Sequence, residues 1–369
     1  MIQDLNLEVE FYFRKGLHLN RSEQYNKAIV SYDKALEMQP DLHDAWYSRG
    51  NSLYYLKRYE EAITSYDQAI ELKPWFYEAW NNRGNALDDL GRYSEALESY
   101  NMALKYKADY YWAWNNRGIA LKNLGRYLDA INSYDRAIEF YPDYYWAWYN
   151  RGLAWRYLNR YDKSIISYDQ ALKIKPDFYE VWNSRGNAFY TLNYYTEAIE
   201  SYQKSLHIKA DYYWALYNLA VVLRTVGKLS DALEMINRAV KVQSKNSDAW
   251  YMRGLILSEL KANEEAIATF NKALLLNPSK HIVYYERGNN LLQLGKYQPA
   301  ISDYDLFLRS NPNHALAWYH KAECYALMGQ RKKAISTLKI AIKLDQNQEY
   351  INLAKTNPHF NTLWAEIHI

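Results

Sequence analysis

The sequence predicts an all-α solenoid made of ten helix pairs, and three observations carry that prediction. Trp46, Trp80, Trp114, Trp148 and Trp182 stand 34 residues apart, and Trp250 and Trp318 keep the register. All 13 glycines fall on two positions of the same period. Pro40, Pro74, Pro142, Pro176, Pro278 and Pro312 close the period, where a helix has to stop. Self-similarity at this length marks a stack of supersecondary units.

The first half of each unit reads as a helix containing the tryptophan, or Tyr12, Leu216 or Tyr284 in its place, followed four residues later by Gly16, Gly50, Gly84, Gly118, Gly152, Gly186, Gly254 or Gly288. A mid-helix glycine costs about 1 kcal/mol against alanine, so close approach of a partner helix is the expected compensation. The later glycines, Gly91, Gly125, Gly227, Gly295 and Gly329, with Asn159 and Asn193 in two other units, suit a helix end that needs a positive φ. The second half carries Ala28, Tyr32 and Ala35 and their equivalents, i, i+4, i+7 steps along one helix face. Asp41, Asp143 and Asp177 follow the prolines and are expected to cap the next helix. The units run 9–42, 43–76, 77–110, 111–144, 145–178, 179–212, 213–246, 247–280, 281–314 and 315–348, after a lead-in at 1–8. The unit at 213–246 departs most, with Leu216, Ala220 and Ile236 in place of the usual residues. Residues 349–369, with Ile351, Leu353, Phe360, Leu363 and Trp364, read as a helical cap over the last apolar face.

Composition excludes several functions. A net charge of +3 over 369 residues gives no strong field for a polyanion. One cysteine, Cys324, allows no internal disulfide and supplies too few thiolates for a structural zinc site; it reads as a small core residue. The eight histidines show no i, i+4 pairing, and His314 with His320 lack an acidic third ligand in register. Every glycine is used by the repeat, so none is left for a phosphate loop. No metal, cofactor or catalytic centre is expected. The acidic start, Met1–Glu10, has no signal-peptide pattern and no stretch is apolar enough to span a bilayer, which points to a cytoplasmic protein.

These co-registered positions resemble the tetratricopeptide repeat family over residues 9–348, with all eight signature positions represented. The resemblance implies a right-handed superhelix, its first helices lining a concave face and its second helices a convex one. It also implies that ligand contacts come from the second, fifth, sixth, ninth, twelfth and thirteenth positions of the first helices. Asn82, Asn116, Asn150 and Asn218 hold the sixth position, Asn81, Asn115 and Asn183 the fifth, and Asn51, Asn85 and Asn187 the ninth. Asparagine is a poor mid-helix residue, but its amide can bond a peptide main chain of any sequence. The row resembles the asparagine ladder in the repeat arm of O-linked N-acetylglucosamine transferases. Trp112, Trp146 and Trp214 at the second position and Tyr149 and Tyr217 at the fifth add aromatic contact area. Lys122, Arg156 and Arg224 at the twelfth would make repeats four to seven basic, against Asp44, Glu78, Asp88 and Asp89 in repeats two and three. The lysines of the family's chaperone-tail clamp are missing, so an acidic C-terminus is disfavoured.

Arg49, Arg83, Arg117, Arg151, Arg185, Arg253 and Arg287 recur beside the glycine. Their strict period reads as a structural series, each meeting a carboxylate or ring of a neighbour, rather than as a nucleic-acid stripe. The expected function is a protein-interaction scaffold that holds an extended segment of a protein or peptide partner along the concave groove. A recruiting subunit for an enzyme on another chain is the alternative, and binding of single-stranded nucleic acid is a weaker one.

Overall fold

The computed structural model describes residues 2–345 and 349–360. Among them are 21 α-helices and no strand. The chain divides into two units, Met1–Leu192 and Asn193–Ile369. Unit 1 stacks α1 (Ile2–Arg21), α2 (Tyr25–Met38), α3 (His43–Tyr55), α4 (Tyr59–Leu72), α5 (Tyr77–Asp89), α6 (Tyr93–Tyr106), α7 (Tyr111–Asn123), α8 (Tyr127–Phe140), α9 (Tyr145–Tyr157), α10 (Tyr161–Ile174) and α11 (Tyr179–Thr191). Unit 2 stacks α12 (Tyr195–Ile208), α13 (Tyr213–Thr225), α14 (Leu229–Val242), α15 (Ser247–Glu259), α16 (Asn263–Leu276), α17 (Ile282–Gln293), α18 (Tyr297–Ser310), α19 (Ala315–Leu327), α20 (Arg331–Leu344) and α21 (Glu349–Thr356). Each helix packs on its sequence neighbours within its unit, which makes each unit a helical-repeat solenoid. The N-terminal lead-in is not a separate segment, because α1 runs unbroken from Ile2.

The helical glycine has the compensation that its position demands. A Cβ added at Gly118 would lie 2.4 Å from Cε1 of Tyr134, a fully buried ring on the paired helix. The same contact joins Gly84 to Tyr100 and Gly254 to Phe270. At the second position Gly125 takes φ +74°, and Asn159 and Asn193 take +56° and +63°. Glu23, Lys57 and Lys261 adopt the same left-handed turn without glycine or asparagine.

The expected aspartate caps do not form. The N-cap positions of α3, α9 and α11 are Leu42, Tyr144 and Phe178, with no side-chain cap bond. Tyr144 and Phe178 are buried, so the residue that enters the helix fills the inter-repeat core instead of capping it. Asp41 and Asp143 serve through the backbone, His43 N donating to Asp41 O and Tyr145 N to Asp143 O, each at 3.0 Å. Side-chain caps occur at Asn246, which accepts from Asp248 N and Ala249 N, and at His314, which accepts from Ala317 N.

The tryptophans tie the repeats together. Trp80 Nε1 donates to Pro74 O at 2.8 Å, and Trp148 and Trp318 do the same to Pro142 and Pro312. Each indole thus satisfies a carbonyl in the turn that joins two repeats, which only a ring with an N–H can do. The arginines form the structural series. Arg83 Nε bonds Asp67 on α4 at 2.6 Å, its other arm bonds Ser99 Oγ on α6 at 2.7 Å, and it stacks on Trp80. Arg49 joins Asp33 and Ser65 in the same way. After the last repeat, Phe360 is fully buried against Tyr319, and Asn357 donates to Tyr319 Oη at 2.9 Å, so these residues pack on α19. Leu363 and Trp364 lie outside the described residues.

Candidate functional site

The candidate site is the first-helix face of unit 1, where the asparagines form a directed hydrogen-bond chain. Asn82 Nδ2 donates to Asn51 Oδ1 at 2.9 Å and to Tyr47 Oη at 3.0 Å. One repeat on, Asn116 Nδ2 donates to Asn85 Oδ1 at 3.0 Å and to Asn81 Oδ1 at 3.2 Å. Asn150 Nδ2 reaches Asn115 Oδ1 at 3.0 Å. The ninth-position oxygens also take a phenol from the paired helix: Tyr66 Oη donates to Asn51 at 2.8 Å and Tyr100 Oη to Asn85 at 2.9 Å.

This chain corrects part of the sequence reading. Asn81, Asn115, Asn150 and Asn183 are not on an exposed face; they are buried at 4, 3, 8 and 7% exposure. The poor helix propensity of asparagine is offset here by bonds between repeats, an account that needs no ligand. Asn51, Asn82, Asn85 and Asn116 are half-buried and border solvent. Asn187 and, in unit 2, Asn218 are half-buried as well.

The half-buried asparagines surround an open cavity of about 370 Å³. Its walls are the phenols of Tyr47, Tyr54, Tyr55 and Tyr66 and the amides of Asn20, Asn51, Asn82 and Asn85. Among the described residues, no group accepts from Nδ2 of Asn85, whereas Asn51 hydrogen-bonds the Tyr47 phenol; the oxygens of both amides are spent on the protein. The cavity therefore offers a hydrogen-bond donor. Asn20, Tyr54 and Tyr55 were not singled out from sequence, although they hold the twelfth and thirteenth positions that the family resemblance names.

Acidic groups stand beside the cavity. Tyr54 Oη donates to Asp89 Oδ2 at 2.6 Å, and burial together with Asp89 pushes the phenol well up. Burial and the charge of Asp89 push the Asp88 carboxyl up to about 6, with Lys122 pulling the other way. Asp88 Oδ1 has no hydrogen-bond partner among the described residues. Lys122 thus acts on the acidic residues of the preceding repeat instead of standing apart from them. Arg156 lies over the Tyr157 ring at 5.3 Å. Arg224, in unit 2, is committed to Glu259 at 2.5 Å and contributes no free charge.

The second-position tryptophans are exposed, Trp112 at 43%, Trp146 at 39% and Trp214 at 53%. Trp112 lies 5.1 Å from the Tyr144 ring, and Trp146 lies 4.8 Å from Phe178. Their packed edges hold them while leaving a face to solvent. Tyr149 and Tyr217 are half-buried, and burial raises both phenols. Elsewhere Cys324 is buried and its thiol is pushed up to about 12, and burial lowers His320 to about 4. Among the described residues, no three His, Cys, Asp or Glu side chains cluster as metal ligands, and no helix is long and apolar enough to cross a membrane.

Models of tetratricopeptide repeats match residues 16–54, then 43–76, 77–110, 111–144 and 145–178, and again 291–357, together more than half of the chain. A model of the fifth ARM repeats domain of TT21 matches residues 188–276. An uncharacterized protein of Methanocaldococcus jannaschii is 36% identical over 49 residues, 13% of this chain and 57% of that protein's length. PilF of Pseudomonas aeruginosa is 17% identical, with a TM-score of 0.50 over 60% of this chain and 96% of its own, a likeness of fold alone. A tetratricopeptide repeat protein of Parabacteroides merdae is 18% identical, with a TM-score of 0.49 over 72% of this chain and 98% of its own. A helix pair repeated at this length and matched by these models has one assignment: the chain belongs to the tetratricopeptide repeat family.

Proposed function

We propose that the first-helix face of unit 1 binds an extended segment of a partner polypeptide, a carbonyl oxygen of which accepts from Nδ2 of Asn85. A repeat scaffold of this family implies protein–protein interaction, and the finer reading rests on one observation. The hydrogen-bond chain consumes the oxygen of Asn85 and leaves its Nδ2 without a protein acceptor at a cavity walled by tyrosines. Main-chain carbonyls are the acceptors that any extended segment supplies, and phenols add contact area with little lost side-chain freedom.

The test uses peptides selected by display against the full chain, with affinities compared between wild type and Asn85→Asp. That substitution keeps an oxygen for Tyr100 and Asn116 but replaces the donor with a carboxylate oxygen. Affinity should fall by about tenfold or more while the melting temperature stays close to wild type. Selected peptides that bind both proteins equally would overturn the groove reading.

A further inference from the structure

The repeat at 213–246 lacks its cationic rung. Around Arg253, the next rung, Asn237 bonds the guanidinium at 2.7 Å from sixteen residues before, Thr269 bonds it from sixteen after, and Trp250 stacks beneath it. In the preceding repeat the equivalent residues are Leu219, Gln203, Met235 and Leu216. The ring and the hydroxyl that hold a cation elsewhere are gone, replaced by aliphatic and thioether groups. An open recess of about 430 Å³ remains between α12 and α14, and Gln203, Leu219 and Met235 all line it, with Ile199, Leu206 and Leu223. Its chemistry suits an apolar side chain, and methionine adapts readily to the shape of one.

The rim carries uncompensated charge. On α4, α6 and α8 the first-turn acid pairs with an arginine three residues before it: Arg58 with Glu61, Arg92 with Glu95 and Arg126 with Asp129, at 2.5, 2.6 and 2.7 Å. On α14 the equivalent Lys228 and Asp231 form no ion pair among the described residues, and neither does Glu234; all three line the recess. Arg238 also lines the recess: one arm of its guanidinium bonds Ala210 O at 2.8 Å and the other lies 3.8 Å from Met235 Sδ. Lining residues recur on successive turns of both helices, Ile199 to Leu206 and Asp231 to Arg238, so the groove runs about 10 Å along them. A groove between two helices accepts a ridge of i, i+4 side chains.

We propose that this recess docks an amphipathic helix of a partner protein. One large apolar side chain sits against Leu219 and Met235, lysines of the partner face Asp231 and Glu234, and a glutamate faces Lys228. The site lies on the second-helix face and stands or falls separately from the groove of unit 1.

The experiment is methyl NMR on the full chain labelled at its six methionines. The probe is a synthetic helix-forming peptide with leucines at i, i+4 and i+7 flanked by lysine and glutamate. The control peptide carries serine for each leucine. The first peptide should shift the Met235 methyl saturably and the control should not. Leu219→Arg/Met235→Thr restores the rung seen at Arg253 and should weaken binding by about tenfold or more, with circular dichroism and a thermal melt reporting the fold. Asp231→Lys/Glu234→Lys, confined to the surface, should also weaken it and does not depend on repacking. An unmoved Met235 methyl, equal shifts from the serine control, undiminished binding to both variants, or displacement of the peptide by phosphatidylserine vesicles would overturn the proposal.

Discussion

Tyr100 and Tyr134 occupy the same position of adjacent repeats, are both buried, and differ in where the hydroxyl ends. Tyr100 Oη donates to Asn85, whereas the ninth position of the next repeat is Ile119 and Tyr134 Oη has no partner among the described residues. Tyr32 and Tyr168, whose ninth positions are Leu17 and Leu153, are likewise unpartnered. Where the ninth position is Leu255 the ring is Phe270, which needs no acceptor. Tyr100→Phe should therefore cost about 1 kcal/mol and Tyr134→Phe about zero or slightly less, because it removes a hydroxyl that is buried without a bond. Urea midpoints of the two variants decide this. Asp88 gives a second prediction. Its raised carboxyl binds a proton more tightly in the folded chain than the unfolded value of about 3.9 allows, so stability falls as pH climbs through about 6. Asp88→Asn should raise the melting temperature at about pH 7.5 and leave it nearly unchanged below about pH 4, where the wild-type group is protonated in both states.

At the scale of a helix, the pairing of two elements turns on contacts that local propensity opposes. Gly118→Ala gains about 1 kcal/mol of helix propensity but forces a methyl to 2.4 Å from the buried Tyr134 ring. Overpacking of that kind costs about 1–3 kcal/mol, so a net loss is expected in thermal melts. Gly125→Ala meets nothing within 4 Å and should lose about 1 kcal/mol from its positive φ alone. A gain at Gly118 would mean that the ring yields. Arg83→Ala removes the link between α4 and α6 and should cost about 1–2 kcal/mol. The same change at Lys163, a half-buried cation over the Trp155 ring, should cost less.

Across a whole unit, stability is a sum of repeats and the interfaces between them. The repeat of α13 and α14 has neither the arginine rung nor the indole bond to the preceding turn. Its backbone amides should exchange with solvent before those of α6 and α8, a difference that hydrogen-exchange mass spectrometry resolves. Equal protection would show that Leu219 and Met235 fill the gap as well as the rung does. A peptide bound in the groove of unit 1 should slow exchange in α3 and α5 first, since Tyr47, Asn51, Asn82 and Asn85 lie there.

The period of 34, the helix pairing, the left-handed turns and the arginine series were legible in the residues because each rests on a local rule that repeats: where glycine is tolerated, where proline stops a helix, where like positions share a partner. The caps and the asparagines were not. Whether Phe178 enters its helix as a core residue, or whether Asn115 faces a ligand or Asn150, depends on which side chains from another repeat arrive at the same place. The sequence alone could therefore determine that asparagines recur on the first helices. Only the tertiary structure decided which of their atoms are spent on neighbouring repeats and which are not, because a hydrogen bond belongs to two residues 31 or 35 positions apart, and its direction is set by what else each of them touches.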